Sequence, residues 1–218
     1  QRGPHDGGGR RQLAVARLLL ALCRRPACRS ALVVAGAPQR LLLALDGASP
    51  SAQCALLRCL EQLSRADDDG ALRERTSLES VLGCAFSTHL RVRADALRLL
   101  RTLAESLAVC YDLADEAPSV ALLALLRMAM AAPHAPTVAV ILDLLRLIYS
   151  AADARARLGG RAGAAGATAA AETLALMHAA GNLPRPLRAA AAEVRCALLD
   201  EPIGVLDLPP TARGPARP

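Results

Sequence analysis

Thiols are the first residues in this 218-residue chain that could carry chemistry, because they bind metals, form disulfides or act as nucleophiles. The seven cysteines all lie in apolar helical patterns: Cys23, Cys28, Cys54, Cys59, Cys84, Cys110 and Cys196. Cys23/Cys28 and Cys54/Cys59 share one spacing, but zinc sites use tighter pairs outside helices, with partner histidines at matching distances. The odd number and the apolar settings predict buried, reduced thiols in an intracellular protein, and no metal site.

Three histidines lie beyond the first ten residues: His89, His134 and His178. Ser87 stands close to His89, yet this spacing alone does not define a nucleophile and its base. The run 159–166 (GGRAGAAG) superficially resembles a dinucleotide-binding loop, but no predicted strand precedes it. Nucleophile-elbow, P-loop and zincin motifs are absent from the sequence. We therefore expect a protein that is not an enzyme and has no catalytic residues and no cofactor.

All 26 basic residues are arginines, and with 20 acidic residues they give a net charge of +6. This mild excess permits binding of nucleic acid or phosphate through scattered arginines, for which salt-dependent binding is the diagnostic test. The arginines do not form a basic arm, and aromatic residues for stacking on single strands are scarce. The sequence therefore disfavours nucleic acid as the partner and keeps it as an alternative.

Helix-forming residues account for most of the composition. Hydrophobic residues make up 53% of the chain but aromatic residues only 1%, so a core must be built from Leu, Ala and Val. The longest apolar run, 119–132, is interrupted by Arg127 and is too short to span a membrane. The composition predicts an all-α protein without a membrane span.

The segment 29–45 (RSALVVAGAPQRLLLAL) combines a short helix, a glycine corner and an apolar helix. Gly36 suits the corner, and Pro38 suits the first turn of the following helix. The segment 108–130 repeats this arrangement, with Ala117–Pro118 in place of Ala37–Pro38 and Glu116 in place of the glycine. The recurrence indicates that the chain is built from repeats.

Three longer amphipathic helices are predicted after the first corner, two of them before the second corner and one after it. We expect Ser49 to cap the first of them and Thr137 to cap the third. Their predicted inward stripes are Leu56, Leu57, Leu60 and Leu63, then Ala96, Leu97, Leu100, Leu103 and Leu107, then Val138, Ile141, Leu142, Leu145 and Ile148. The charged residues of the second helix are predicted to face solvent: Asp95, Arg98, Arg101 and Glu105.

Aligned stripes give one matching position in each central helix. These positions are Ala16, Leu57, Leu97, Leu142 and, more loosely, Val194, separated by 41, 40, 45 and 52 residues. Periods of about 40–47 residues are typical of armadillo and HEAT repeats. The predicted boundaries are a flexible lead-in at 1–11, a repeat domain at 12–200 and a disordered Pro/Gly/Arg tail at 201–218. Within the domain the repeats cover 12–46, 47–87, 88–132 and 133–181, with 182–200 as a partial unit.

These residues resemble the armadillo family. LVVAGAPQRLLLAL is similar to the family's corner and third helix, and CALLRCLEQL, ADALRLLRTL and VILDLLRLI resemble its second helix. The resemblance implies an armadillo-like, right-handed α-solenoid of about four to five repeats, whose third helices line a concave groove. We expect the chain to be a section of a longer array.

If the family geometry holds, the third helices present partner-binding residues in the groove: Gln39, Arg40, Glu79, Ser80, Ser119, Glu172 and Thr173. Nuclear-import members of the family use Asn and Trp ladders, but this chain has no Trp and only Asn182, in a predicted loop. The sequence thus favours a non-catalytic scaffold that binds a protein or peptide, cytoplasmic or alternatively nuclear. Another alternative is the substrate- or chaperone-binding part of a larger ubiquitin-ligase-type protein.

Overall fold

The computed structural model describes residues 6–66, 72, 75–131, 135–150, 163–181 and 183–199, and within these ranges the chain forms eleven α-helices and no strand. The helices are α1 (Asp6–Cys23), α2 (Pro26–Val34), α3 (Ala37–Leu45), α4 (Pro50–Leu63), α5 (Arg75–Ala85), α6 (Leu90–Leu103), α7 (Leu107–Ala114), α8 (Glu116–Ala131), α9 (Ala135–Ser150), α10 (Gly163–Ala179) and α11 (Arg185–Leu199). The predicted all-α class is confirmed.

Several sequence predictions concern parts of the chain outside the described residues. They are the first residues of the flexible lead-in (1–5), His134, the first half of the GGRAGAAG run (159–162), Asn182 and the tail (201–218). The remainder of the predicted lead-in belongs to α1, which begins at Asp6, six residues before the expected start at Gln12.

The helices pack in two rows. In the first row, α1, α4, α6, α9 and α11 each contact the next helix of the row. In the second row, α3, α5, α8 and α10 do the same, and each of them also packs on the first-row helix that follows it in sequence. The short helices α2 and α7 join the rows. The chain therefore alternates between rows, which is how a repeated sequence unit builds a repeated packing unit.

The five matched positions are all in the first row and all buried. Ala16, Leu57, Leu97, Leu142 and Val194 are at most 1% exposed. One continuous cluster of aliphatic side chains extends from Ala16 to Leu198, and Tyr149 is the single aromatic residue among its buried members. Burial of these side chains is the main stabilising term for a fold of this composition. The five positions matched from the sequence are therefore all core positions.

Gly36 forms the corner between α2 and α3. Its backbone is left-handed (φ 70°, ψ 27°), a region that glycine enters at no steric cost. Pro38 lies in the first turn of α3, and the axes of α2 and α3 meet at 81°. At the equivalent corner Asp115 is extended (φ −57°, ψ 154°), so Glu116 can begin α8 without a positive φ. The repeated corner therefore has two different backbone solutions.

Replacing Gly36 by alanine is expected to lower the free energy of unfolding by roughly 1–2 kcal/mol, because an L-residue is strained at this positive φ. An added Cβ would meet only the Gln39 Oε1 at 3.7 Å, so the cost comes from the backbone. Gly83→Ala is the matched control: it lies inside α5 with open space around it, and alanine there should stabilise by roughly 0.5–1 kcal/mol. Urea unfolding of both variants measures the difference. Equal effects of the two substitutions would contradict the role given to Gly36.

Two predicted orientations are wrong at helix ends. Leu107 was expected on the inward stripe of α6, but α6 ends at Leu103 and Leu107 begins α7, where it is exposed. Thr137 was expected to cap α9, but the helix begins two residues earlier, at Ala135, and Thr137 is buried inside it. Pro136 in the first turn explains the earlier start, since proline suits that position.

The length and apolarity of the helices bear on whether the chain could span a membrane. Across the part of the chain that the structure describes, no single helix combines the length and apolarity of a membrane span. Among the described helices, only α2 and α3 taken together reach those values, and their axes are bent sharply at Gly36.

Candidate functional site

A buried carboxylate joins two first-row helices. Asp95 of α6 is 2% exposed and accepts hydrogen bonds from the Arg58 Nε of α4 and from the Arg98 Nη1 of its own helix, both at 3.0 Å. Asp95 was predicted to face solvent, and this prediction is wrong because α6 turns it toward α4. A buried carboxylate is tolerated only when cations or donors compensate its lost hydration, and the two guanidinium groups do so here.

A second ion-pair cluster joins α6 to α9. The Arg101 Nε of α6 donates to the Asp143 Oδ2 at 2.6 Å, and the Arg146 Nη2 donates to the Oδ1 at 2.8 Å. Hydrogen bonds from Arg101 and then Arg146 lower the pKa of the Asp143 carboxyl below its ordinary value, and the same contact raises the pKa of Arg101. The predicted outward orientation of Arg98, Arg101 and Glu105 agrees with their exposed side chains. The outer side of α4, α6 and α9 is therefore a surface of paired charges.

An open cleft of about 550 Å³ lies where α1 meets the first turns of α4 and α6. Arg17, Arg58 and Arg91 line it together with His89 and Cys54, and no acidic side chain lines it. Such a lining suits an anion, but Arg58 is already paired with Asp95. Burial, and then the charge of Asp95, raises the pKa of the Cys54 thiol, so this cysteine is not an activated nucleophile.

The histidines and cysteines that could serve catalysis or metal binding make contacts that belong to turns and helix packing. The His89 backbone N–H donates to the Ser87 Oγ at 3.2 Å, which is a local turn before α6 and not a base–nucleophile contact. The ring of His178 hydrogen-bonds the Arg188 carbonyl at 3.3 Å and so joins α10 to α11. All seven cysteines are free thiols. Among the described residues, no three His, Cys, Asp or Glu side chains stand close enough together to hold a metal ion.

The cysteines that are neighbours in the structure differ from the pairs that sequence spacing suggested. Cys59 of α4 lies beside Cys23 of α1 and not beside Cys54, and its Sγ contacts the Ala16 carbonyl at 3.5 Å. Both thiols are fully buried at the α1–α4 contact. The prediction of buried cysteines is confirmed for Cys23, Cys59, Cys110 and Cys196, whereas Cys28, Cys54 and Cys84 are half-buried.

Five of the seven predicted groove residues are exposed or half-exposed on second-row helices. Gln39 and Arg40 are exposed on α3, and Glu172 is exposed on α10. Glu79 is exposed and Ser80 half-buried on α5, where both line an open cleft of about 530 Å³ facing the α3–α4 connection. These residues therefore lie on three of the four helices of one row, α3, α5 and α10, and not in one pocket.

The other two predicted groove residues, Ser119 and Thr173, are each only 3% exposed, so their expected exposure is wrong. Ser119 of α8 lies next to Tyr149 of α9. Thr173 of α10 accepts hydrogen bonds from the Arg127 Nε and Nη2 of α8, at 3.2 and 3.1 Å. Both side chains face neighbouring helices. The exposed residue beside Thr173 is Arg127, which was not among the predicted groove residues.

The second-row helices expose large apolar side chains that the sequence reasoning did not single out. They are Leu43 of α3 (80% exposed), Val120 and Met128 of α8 (52% and 44%) and Leu176 of α10 (68%). Together with Gln39, Arg40, Glu79 and Glu172 they form what we call the second-row face. The sequence carries no local signal for them, because a leucine, valine or methionine in an apolar helix is assigned to the core by default. Apolar residues ringed by a few charges are characteristic of protein-binding surfaces.

Comparison with models of known protein families gave no match, and comparison with curated protein sequences gave none either.

Proposed function

We propose that this protein is a non-catalytic interaction scaffold that binds a segment of another protein along the second-row face. The observation that supports this most strongly is the contrast between the charged outward sides of α4, α6 and α9 and the apolar residues exposed on α3, α8 and α10. On α4, α6 and α9 the outward arginines and acids are largely paired with each other, whereas the second-row helices present unpaired aliphatic side chains to solvent. Paired surface charges contribute little to binding, while exposed aliphatic residues gain free energy when a partner covers them.

We further propose that the chain forms an armadillo-like, right-handed α-solenoid with α3, α5, α8 and α10 along its concave side. The two-row packing and the matched register of the first-row helices support it. A rigid row of helices holds the face in place before binding, so a partner segment can bind without first ordering the receptor. A small-angle scattering profile of a compact sphere would contradict the solenoid.

The mixed charge of the second-row face points to the chemistry of the partner. Arg40 and Glu79 lie on adjacent helices and Glu172 lies further along, so neither sign of charge prevails. This favours a segment with apolar anchors and both signs of charge over a polyanion. The arginine-lined cleft supports phosphate binding less strongly than the second-row face supports binding of a protein segment. The cleft is open, and one of its three guanidinium groups is already neutralised by Asp95.

Reversing charge at Arg40 and Glu79 together (Arg40→Glu, Glu79→Arg) is expected to weaken partner capture roughly 5- to 30-fold with unchanged helicity. Two rim charges of about 0.5–1 kcal/mol each give this range. Affinity capture with quantitative mass spectrometry on the full chain measures it. The double variant Arg185→Glu, Glu193→Arg exchanges the same charges at exposed positions of α11 and serves as the control. Undiminished capture by the Arg40/Glu79 variant would exclude the second-row face as the site.

A further inference from the structure

The first helix exposes an apolar stripe on the side turned away from α4. Val15, Leu18 and Leu22 of α1 are 57%, 62% and 37% exposed. Their spacings of three and four residues place them on one helix face. Another face of the helix contributes Ala16 and Cys23 to the core. Helix α1 is therefore apolar on two sides, which is typical of a helix packed between two others.

The repeat register identifies this stripe with a buried face of the later helices. Moving along the chain by the matched steps of 41, 40 and 45 residues takes each stripe residue to its equivalents in α4, α6 and α9. The equivalents are Leu56, Ala96 and Ile141 for Val15, then Cys59, Leu99 and Leu144 for Leu18, and Leu63, Leu103 and Ile148 for Leu22, all buried. Only α1 leaves this face open to solvent among the four helices.

In α4 this face contacts the preceding first-row helix. The Cys59 Sγ of α4, at the position equivalent to Leu18, touches the Ala16 carbonyl of α1, and α6 and α9 each pack on the first-row helix before them. The contacts Arg58–Asp95 and Glu61–Arg98 both join residues 37 apart, so α4 and α6 run parallel. The same face of α1 is thus shaped for a helix that runs parallel to it.

The charge around the stripe identifies the chemistry of that helix. Residues 7–45 contain seven arginines and no acidic residue. Arg11 and Arg17 are exposed on α1, and Arg24 and Arg25 are exposed just beyond its end. At the position of Arg11 the later helices bury Ala52, Val92 and Thr137. A second copy of α1 would bring arginines against arginines, so like-charge repulsion opposes dimerisation through this helix.

We propose that the α1 stripe docks an amphipathic α-helix of a partner polypeptide, with aliphatic residues on its contacting face and Asp or Glu beside them. The helix continues the first-row packing in register, and its acids meet the α1 arginines as Glu61 meets Arg98. This surface is separate from the second-row face, so either site can fail without the other.

The probe is a fluorescein-labelled peptide of residues 49–66, which includes the helix that covers the equivalent face of α6. It carries Arg58→Glu and Arg65→Glu to remove charges that would meet arginines, and alanine replaces both cysteines. Glu61 is retained because it should meet Arg17, the equivalent of Arg98. A peptide of identical composition and scrambled order is the control.

Fluorescence anisotropy with the full chain should give saturable binding of the probe and none of the scrambled peptide. Leu18→Glu should weaken binding at least about tenfold, because it places an acid inside the apolar contact and beside the acids of the probe. Val15→Glu is the second variant, and circular dichroism verifies that both remain helical. Leu176→Glu, an equally exposed leucine on α10, should bind as the wild type does.

Three results would overturn the proposal. One is the absence of saturable binding up to about 1 mM peptide. Another is unchanged binding by both Leu18→Glu and Val15→Glu. The third is a dimer in sedimentation velocity that Leu18→Glu dissociates, since it would make a second copy of the chain the occupant of the stripe.

Discussion

Leu97→Ala is expected to lower the free energy of unfolding by about 3–5 kcal/mol, the range for leucines truncated in a closely packed core. Leu97 is fully buried in α6, a helix that packs against α4, α5 and α9. No one of these neighbours can close the cavity without losing contacts to the others. Urea or thermal unfolding followed by circular dichroism measures the change.

Leu90→Ala is the matched control for this substitution. It removes the same atoms from the same helix, but Leu90 is 53% exposed in the first turn of α6. A surface substitution of this kind is expected to change stability by less than about 0.5–1 kcal/mol. Similar losses for the two variants would show that Leu97 is not a central core residue.

Cys59 is expected to react with iodoacetamide roughly 10³-fold more slowly than an ordinary exposed thiol at pH 8. Burial, and then the neighbouring Cys23 thiol, raises the pKa of Cys59 to about 12. An exposed cysteine has a pKa of about 8.5, and only the thiolate reacts. Steric burial between α1 and α4 slows the reaction further.

Pulsed alkylation with peptide mass spectrometry reads this rate for Cys59 separately from the other thiols. The urea-unfolded chain is the reference, because unfolding exposes Cys59 and returns its pKa to the ordinary value. The labelling rate should rise with pH up to the region of the raised pKa. Native labelling within about tenfold of the unfolded rate at pH 8 would contradict the burial of this thiol.

The first row was predictable because its signal is redundant. Leu57, Leu97 and Leu142 each belong to an apolar stripe of helical period, and the stripes recur at similar steps. The glycine at position 36 also allowed the corner between α2 and α3 to be predicted. The start of α1 was not predicted, because the three glycines at 7–9 each disfavour a helix by about 1 kcal/mol. A glycine-rich segment is therefore predicted to be flexible when composition is the only information.

Long-range polar contacts were not predictable. An aspartate within a helical pattern is assigned to solvent, and nothing local to Asp95 indicates that Arg58, 37 residues earlier, neutralises it. Thr173 is similar, since its hydroxyl is satisfied by Arg127 from another helix. The exposed leucines were missed for the opposite reason, because hydrophobic residues are assigned to the core by default.

The ion pairs between first-row helices also bear on how the row deforms. Arg58–Asp95 and Arg101–Asp143 each join one helix to the next, at 3.0 and 2.6 Å, and both arginines remain more than 40% exposed. Partly exposed pairs are weakened by dissolved salt, whereas aliphatic contacts are not. Any motion that separates α4, α6 and α9 is therefore opposed by ion pairs that weaken as ionic strength rises, so the resistance of this row to deformation depends on the dissolved salt.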